Sequence, residues 1–288
     1  MHDAFNLAWK LSLVLSSLSP PSLLQTYVSE RRSIAQNLIA FDYEHSNAYV
    51  KNDQAALAEN FKKNIRFIAG VGAICEPNSN SPLTLQSAGT REFGLESGEL
   101  LTPARATRFI DANPVDLQID VPLLNQFKIY FLMSDYHSSA PLLAGICDHV
   151  FALDSIIARS SQKSLIATRP YVMTEADEYT VPERYTPPHV SRLFTFCVVT
   201  KTPQTQLEFT DLPQQLREYK WTLYLDNLGD SVSPIRKWAG PEGVAKGEVM
   251  GIIVRPDGYV GAVESWGGDI YLAASQWFTT YFKDILMV

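Results

Sequence analysis

Several features that mark common classes of protein are scarce in this 288-residue sequence. It has only three cysteines, widely separated, which disfavours a disulfide-stapled secreted domain and fits a reducing compartment such as the cytoplasm. Its 24 Lys and Arg are outnumbered by 31 Asp and Glu, and the net charge of -7 disfavours nucleic acid or an anionic membrane as a partner. We also find no apolar run long enough to span a bilayer.

Motifs for nucleotide binding and nucleophilic catalysis are missing as well. The sequence contains no phosphate-binding loop, no Gly-x-Ser-x-Gly elbow and no Cys-x-x-Cys pair for dithiol exchange. Residues 70–75, Gly-Val-Gly-Ala-Ile-Cys, begin like a dinucleotide-binding turn but have Cys at the third Gly position and follow a helix instead of a strand. A linker is the better interpretation of this segment.

A zinc site is disfavoured by the spacing of the candidate ligands. Asp135 and His137 are two residues apart, as are Cys147 and His149, and side chains at positions i and i+2 of a helix point apart. We therefore predict no metal site, and expect Cys147 and Cys197 to be inert, buried in a helix and a strand respectively.

The N-terminal quarter has the periodicity of helices. We predict one helix from about Asp3 to Leu18, ended by Pro20 and Pro21, a second from Pro21 to His45 and a third from Asp53 to Phe67. On the second helix an apolar stripe is expected to be buried while Glu30, Arg31 and Arg32 stay in solvent; the stripe consists of Leu24, Tyr27, Val28, Ile34, Ala35, Leu38 and Ile39. Residues 11–18 also resemble the core of a secretory signal, but the acidic upstream flank and the following prolines disfavour that alternative.

The sequence changes character after Gly98, following a stretch rich in Gly, Ser, Asn and Pro that reads as a loop or linker. Strands are predicted at Phe127–Met133, Leu193–Thr200, Trp221–Asp226, Val249–Val254 and Tyr259–Val263, and helices at Leu142–Arg159 and Asp269–Ile285. The last two strands are joined by the turn Arg255-Pro256-Asp257-Gly258, whose Pro and Gly set the backbone angles. A βαβ unit, a late hairpin and a terminal helix follow one another in a thioredoxin-like α/β domain.

Stretches in the right order also resemble one known family. They are residues 1–11, Met-His-Asp-Ala-Phe-Asn-Leu-Ala-Trp-Lys-Leu, then 23–27, 30–32, 38–42, 103–118 and 254–261. Together they are similar to the C-terminal part of the phenol hydroxylase-type, flavin-dependent aromatic-ring monooxygenases. The first stretch resembles the helix that follows the family's last flavin-contacting loop, and the last two resemble the start and the late hairpin of its thioredoxin-like domain.

The resemblance implies a cofactor, FAD, whose Rossmann-type binding segment with its Gly-rich turn would lie before residue 1. Family members use FAD, NADPH and O2 to place one oxygen atom on an aromatic substrate. In this chain only Met1, Asp3 and Asn6 are expected near the flavin, and no catalytic residue is assigned, because the catalytic residues of the family would lie upstream as well.

The expected organisation is a helical remnant of an FAD-binding domain at residues 1–69, a linker at 70–97 and a thioredoxin-like dimerisation domain at 98–288. The expected function is that of a C-terminal monooxygenase fragment, inactive on its own, with a homodimer or an FAD-domain chain as partner. A truncated gene product, a split subunit and a longer protein with a missed start all fit. The alternative is a non-catalytic thioredoxin-like dimerisation or assembly module.

Overall fold

The computed structural model describes residues 2–70, 72–75, 82–87, 92–121, 125–167, 190–268 and 270–288, in which N-terminal helices pack against an α/β sheet domain. The helices are α1 (His2–Leu15), α2 (Gln25–Val50), α3 (Gln54–Ile68), α4 (Leu117–Asp120), α5 (Tyr136–Val150), α6 (Ile156–Ala167), α7 (Gln214–Arg217), α8 (Pro234–Trp238) and α9 (Tyr271–Phe282). The strands are β1 (Arg105–Arg108), β2 (Pro114–Asp116), β3 (Phe127–Met133), β4 (Phe194–Thr200), β5 (Leu223–Leu225), β6 (Glu248–Val254) and β7 (Val260–Gly267).

The strands form a seven-stranded sheet in the order β2-β1-β5-β4-β3-β6-β7. Strand β3 runs parallel to β4, with Phe127 opposite Phe194, and antiparallel to β6, with Tyr130 opposite Ile252. The unit β3-α5-α6-β4, the hairpin β6-β7 and the terminal helix α9 therefore have the connections and strand order of a thioredoxin-like domain. The fold predicted from the sequence, helices followed by a thioredoxin-like α/β domain, is confirmed.

Both faces of the central strands are covered. Strand side chains alternate between faces, so Phe127, Ile129 and Phe131 enter one apolar cluster, whereas Tyr130 and Leu132 enter the other. Every residue of β3 and of β4 is buried, and all but Lys128, Thr195 and Thr200 are apolar, as is usual for strands in the middle of a two-sided α/β sheet.

The N-terminal helices lie close to their predicted positions. Helix α1 ends at Leu15, before Pro20, and a short 3-10 turn at Pro21–Leu24 leads into α2, which continues to Val50. Helix α3 begins after Asp53, whose carboxylate caps it by accepting a hydrogen bond from the backbone of Ala56 at 3.0 Å. Within the described residues we find no helix with the length and apolarity needed to cross a membrane.

The predicted buried stripe of α2 is wrong in part. Val28, Leu38 and Ile39 are 57%, 49% and 67% exposed, whereas Glu30, expected in solvent, is 3% exposed. The row that faces the protein consists of Thr26, Glu30, Ile34 and Ala48. Charged partners on other elements compensate the burial of Glu30, so apolarity alone did not indicate which face of this helix is inside.

A second prediction, a single helix at residues 142–159, is also wrong. The structure has two helices here, α5 and α6, separated by residues 151–155. Ser155 causes the break: its hydroxyl donates to the carbonyl of Val150 at 2.6 Å and accepts from the amide of Ala158 at 3.0 Å. One hydroxyl thus bonds a backbone carbonyl at the end of α5 and a backbone amide at the start of α6, groups that have no partner within their own helix.

The segment predicted as a linker lies against the sheet where the structure describes it. Leu83 and Leu95 are buried, and the amide of Leu85 donates to the carbonyl of Gly261 at 2.9 Å. The amide of Gly98 donates to the carbonyl of Val260 at 2.7 Å. The division of the chain at residues 69 and 98 stays a prediction.

Candidate functional site

The residues predicted to lie near a flavin are at the N-terminal end of α1. Met1 is outside the described residues. Asp3 is exposed in the first turn and forms an ion pair with Arg31 of α2. Asn6, one turn further, is fully buried, and its amide donates to Glu30 and to Asp257 at 2.9 Å each. Contact of Met1, Asp3 or Asn6 with a cofactor stays a prediction.

Asn6 leads into a buried group of charges, here called the junction cluster and formed by Asn6, Lys10, Glu30, Arg255 and Asp257. Lys10 Nζ lies 2.8 Å from Glu30 Oε2. Arg255 donates to both oxygens of Glu30, at 2.7 and 3.0 Å, and to both oxygens of Asp257, at 3.1 and 2.7 Å. Two cations and two carboxylates give the cluster no net formal charge.

Aromatic rings enclose the guanidinium of Arg255. Its central carbon lies 5.6 Å from the ring centroid of Trp9 and 5.5 Å from that of Tyr259. Both distances are within the range of cation–π attraction, which is stronger where water is excluded. Arg255 is 1% exposed, so the carboxylates and these rings take the place of water around its charge.

The burial and the charges act in opposite directions on Glu30. Burial alone would raise the pKa of its carboxyl, but Arg255 and Lys10 overcome this effect and lower the pKa to about 2. For Lys10 burial is the stronger influence and lowers the pKa to about 8, although Glu30 opposes it. Burial also opposes the charged form of Arg255, but Asp257 and Glu30 raise its pKa well above the usual value. At neutral pH the cluster is therefore a set of paired ions.

The turn between β6 and β7 places two members of the cluster. The amide of Arg255 donates to the carbonyl of Tyr259 at 2.8 Å, and Gly258 donates to the carbonyl of Arg255 at 2.9 Å. Gly258 has φ +86°, which glycine adopts without strain. The turn predicted at residues 255–258 is confirmed, and it directs the side chains of Arg255 and Asp257 toward α1 and α2.

The sequence had indicated the members of this cluster only as parts of motifs. Glu30 was expected in solvent, and Arg255 and Asp257 were assigned to a turn. One local signal was available: Thr26, Glu30 and Ile34 are spaced four apart and so share one helical face. If that face is buried, the carboxylate of Glu30 needs a cation beside it, so the row predicts a buried ion pair.

A second polar group lies on the other face of the sheet. Arg108 forms ion pairs with Asp111 and Asp120, and the hydroxyl of Tyr224 donates to Asp120 at 2.7 Å. Lys128 donates to the carbonyl of Val121 at 2.7 Å, and burial lowers the pKa of Lys128 to about 8. These bonds tie the 108–121 segment to the sheet, so we interpret the group as structural.

The residues weighed earlier as zinc ligands are engaged separately. His137 bonds through Nε2 to the carbonyl of Gln206 at 2.6 Å, and His149 through Nδ1 to that of Gly145 at 2.8 Å. The described part of the chain contains no group of three or more His, Cys, Asp or Glu suited to a metal ion. Cys147 and Cys197 are buried and free, and burial raises the pKa of each thiol, for Cys197 to about 12.

Comparison with known proteins adds two family matches. A family model described as phenol hydroxylase, C-terminal dimerisation domain, matches residues 43–287, and one described as FAD binding domain matches residues 1–42. The boundary between the matches falls within α2.

Individual relatives are longer than this chain. The 3-hydroxybenzoate 4-monooxygenase of Comamonas testosteroni is 27% identical over 300 residues, which cover 98% of this chain and 43% of that protein. Phenol 2-monooxygenase fsqG of Aspergillus fumigatus is 36% identical over 73 residues, covering 25% of this chain and 12% of that protein. The crystal structure of the flavin-dependent monooxygenase PieE in complex with FAD and substrate aligns at a TM-score of 0.46 and 13% identity, covering 98% of this chain and 43% of that one. The chain thus spans less than half the length of the first relative and of that structure.

Proposed function

Because the chain belongs to the phenol hydroxylase C-terminal dimerisation domain family, we propose that it serves an FAD-dependent monooxygenase that hydroxylates a phenolic or other aromatic substrate. The observation that carries the proposal is the joining of two matches, FAD binding domain at residues 1–42 and dimerisation domain at 43–287, in one folded unit. The 27% identity to 3-hydroxybenzoate 4-monooxygenase over 98% of the chain supports it.

The reaction proposed is the insertion of one oxygen atom into a ring carbon–hydrogen bond. NADPH provides a hydride and the solvent provides one proton, O2 provides the inserted atom, and the second oxygen atom leaves as water while NADPH becomes NADP+. FAD, when bound, would supply the redox chemistry that links NADPH to O2. The polypeptide would bind and orient the cofactor and substrate.

The residues present fit one edge of a flavin site. The first amides of α1 are available as donors, because the first four N–H groups of a helix have no partner within it. Arg31 of α2 lies beside the first turn of α1, where it forms an ion pair with the exposed carboxylate of Asp3. We propose that the start of α1 and Arg31 approach FAD. Asn6 would hold α1 in place without contacting FAD, because its amide is already bonded to two carboxylates.

The exposed apolar side of α2 suggests a surface to which another protein segment binds. Val28, Leu38, Ile39 and Tyr43 are 57%, 49%, 67% and 70% exposed, and contiguous exposed apolar surface usually marks an interaction site. Since α2 begins within the FAD-binding match, we propose that this side contacts the remainder of an FAD-binding domain. On this proposal the chain alone is inactive.

Flavin content tests the proposed function. The protein would be captured from its own cells with an antibody against residues 43–287, and the visible spectrum of the captured protein recorded. We expect bound flavin and NADPH consumption that a phenolic substrate stimulates and that yields a hydroxylated ring. Captured protein that is colourless, takes up no added FAD and consumes no NADPH would overturn the proposal.

A non-catalytic assembly role is the second candidate. It is favoured by the match to a dimerisation domain over residues 43–287. We propose a homodimer in the cytoplasm, a compartment consistent with three free cysteines. Sedimentation of the purified chain should give a dimer. A strict monomer that also captures no FAD-binding chain would contradict the assembly role.

A further inference from the structure

The junction cluster joins the two segments that match different families. Asn6, Lys10 and Glu30 lie in the FAD-binding match, whereas Arg255 and Asp257 lie in the dimerisation match. The cluster is buried, and its contacts join residues as far apart in sequence as Asn6 and Asp257. It is therefore a connection between two parts of the chain and not a local feature of either.

Helix α1 depends on this connection. Its buried residues are Asn6, Trp9, Lys10 and Leu13. The first three contact the cluster: Asn6 and Lys10 by hydrogen bonds to Glu30, and Trp9 by its ring beside Arg255. The only other contact of the first two turns described above is the ion pair of Asp3 with Arg31, and Phe5 is 43% exposed.

Arg255 is the member that touches every part of the arrangement. It bonds to Glu30 of α2 and Asp257 of its own turn, and its guanidinium lies between Trp9 of α1 and Tyr259 of the sheet domain. A guanidinium can bond two carboxylates at once and present its faces to rings, which an ammonium group cannot do.

We propose that Arg255 is a positioning residue that sets the orientation of the α1 N-terminus relative to the dimerisation domain. This proposal rests on the proposed function, in which that N-terminus approaches FAD. Asn6 is one helical turn from Asp3, about 4.5 Å along the axis, so a tilt of α1 at the cluster moves its first turn directly. The dimerisation domain thus acts on the start of α1 through Arg255, together with the bond of Asp257 to Asn6.

Segment-resolved hydrogen–deuterium exchange of the 288-residue chain tests the proposal. In Arg255→Met we expect the amides of α1 to exchange about tenfold faster or more, because removing one partner of a buried ion pair leaves charges uncompensated. At labelling times at which β3 takes up no deuterium in the wild type, its amides should stay protected in the variant, because they exchange only on global unfolding. Arg255→Lys should fall between wild type and Arg255→Met, since Lys keeps the charge but not the two-sided geometry.

Two further variants keep the test decisive. Asn6→Ala removes a link to α1 without changing the charge of the cluster, and it should increase exchange in α1 even if Arg255→Met fails to fold. Arg105→Met breaks an exposed ion pair with Asp116, whose side chains are 47% and 49% exposed, and should leave α1 exchange at the wild-type rate.

Two outcomes would overturn the inference. One is an equal increase in exchange of α1 and β3 in Arg255→Met and Arg255→Lys, which would show general destabilisation without positioning. The other is unchanged α1 exchange in Arg255→Met and Asn6→Ala. Exchange is measured without flavin, so captured protein that carries no FAD and takes up none would remove the proposed function without changing the exchange result.

Discussion

Replacing Glu30 with Gln should reveal how much stability the junction cluster contributes. The substitution keeps the size of the side chain but removes its charge and turns an amide group toward Lys10 and Arg255, which can only donate. Two buried cations then face Asp257 alone. Because the side chain of Glu30 is 1% exposed, solvent screens this imbalance little.

The magnitude follows from the pKa of Glu30. The folded protein lowers this pKa from 4.5 to about 2, and each pKa unit corresponds to about 1.4 kcal/mol, so the ionised carboxylate contributes about 3 kcal/mol. Loss of one partner of a buried ion pair costs about 3–5 kcal/mol in other proteins. We therefore expect Glu30→Gln to lower the free energy of unfolding by about 3 kcal/mol near neutral pH.

The pH dependence gives the sharper test. A carboxyl whose pKa is lowered on folding stabilises fully above its unfolded pKa, and this stabilisation is lost as the pH falls through the folded pKa. The difference between wild type and Glu30→Gln should therefore hold from about pH 4.5 to neutral pH, below the pKa of about 8 at which Lys10 loses its proton, and shrink toward about pH 2. Urea unfolding monitored by tryptophan fluorescence measures it, with Glu44→Gln, exposed on the same helix, as the control. A loss below about 1 kcal/mol, or one that does not change with pH, would refute the reasoning.

Three other predictions concern packing. Gly98→Ala should lower the free energy of unfolding by about 1–3 kcal/mol, because Gly98 has φ +96° and an added Cβ would meet the carbonyl of Cys75. Gly229→Ala is the control: its φ is +98° and the space around it is open, so it measures the cost of the positive φ without the steric contact. Ile34→Ala should lower the free energy of unfolding in urea by about 2–5 kcal/mol, because Ile34 is only 9% exposed. Ile39→Ala should lower it by less than about 0.5 kcal/mol, because Ile39 is 67% exposed; equal losses would contradict the burial described. An alkylating reagent, followed by mass spectrometry, should modify none of the three buried thiols in the folded chain and all three after unfolding, and rapid labelling of folded protein would show that they are accessible.

The features that could be predicted from the sequence are those with a local signal. Strand β3 is apolar from Phe127 to Met133 except at Lys128, and the hairpin turn is marked by Pro256 and Gly258. The ends of α1 and α3 follow from Pro20 and from the cap at Asp53. Each of these signals acts within a few residues, so no knowledge of the tertiary structure was needed.

The features that could not be predicted depend on distant contacts. The partner of Glu30 is Arg255, 225 residues away, and neither position reveals the other. The exposed apolar side of α2 was expected inside because periodicity shows that a helix has a distinct face but not what covers it. The break between α5 and α6 depends on the bonds of one hydroxyl, that of Ser155, in a sequence that otherwise favours a continuous helix.

The neutrality of the junction cluster has an evolutionary consequence. A single replacement that removes the charge of Lys10, Glu30, Arg255 or Asp257 leaves an excess of one charge sign away from water, so intermediates on a mutational path between two viable combinations would be unstable. These four positions should accordingly be replaced together or not at all in homologous proteins. Correlated substitution across such a long stretch of chain would identify which N-terminal and C-terminal segments have diverged as one inherited unit.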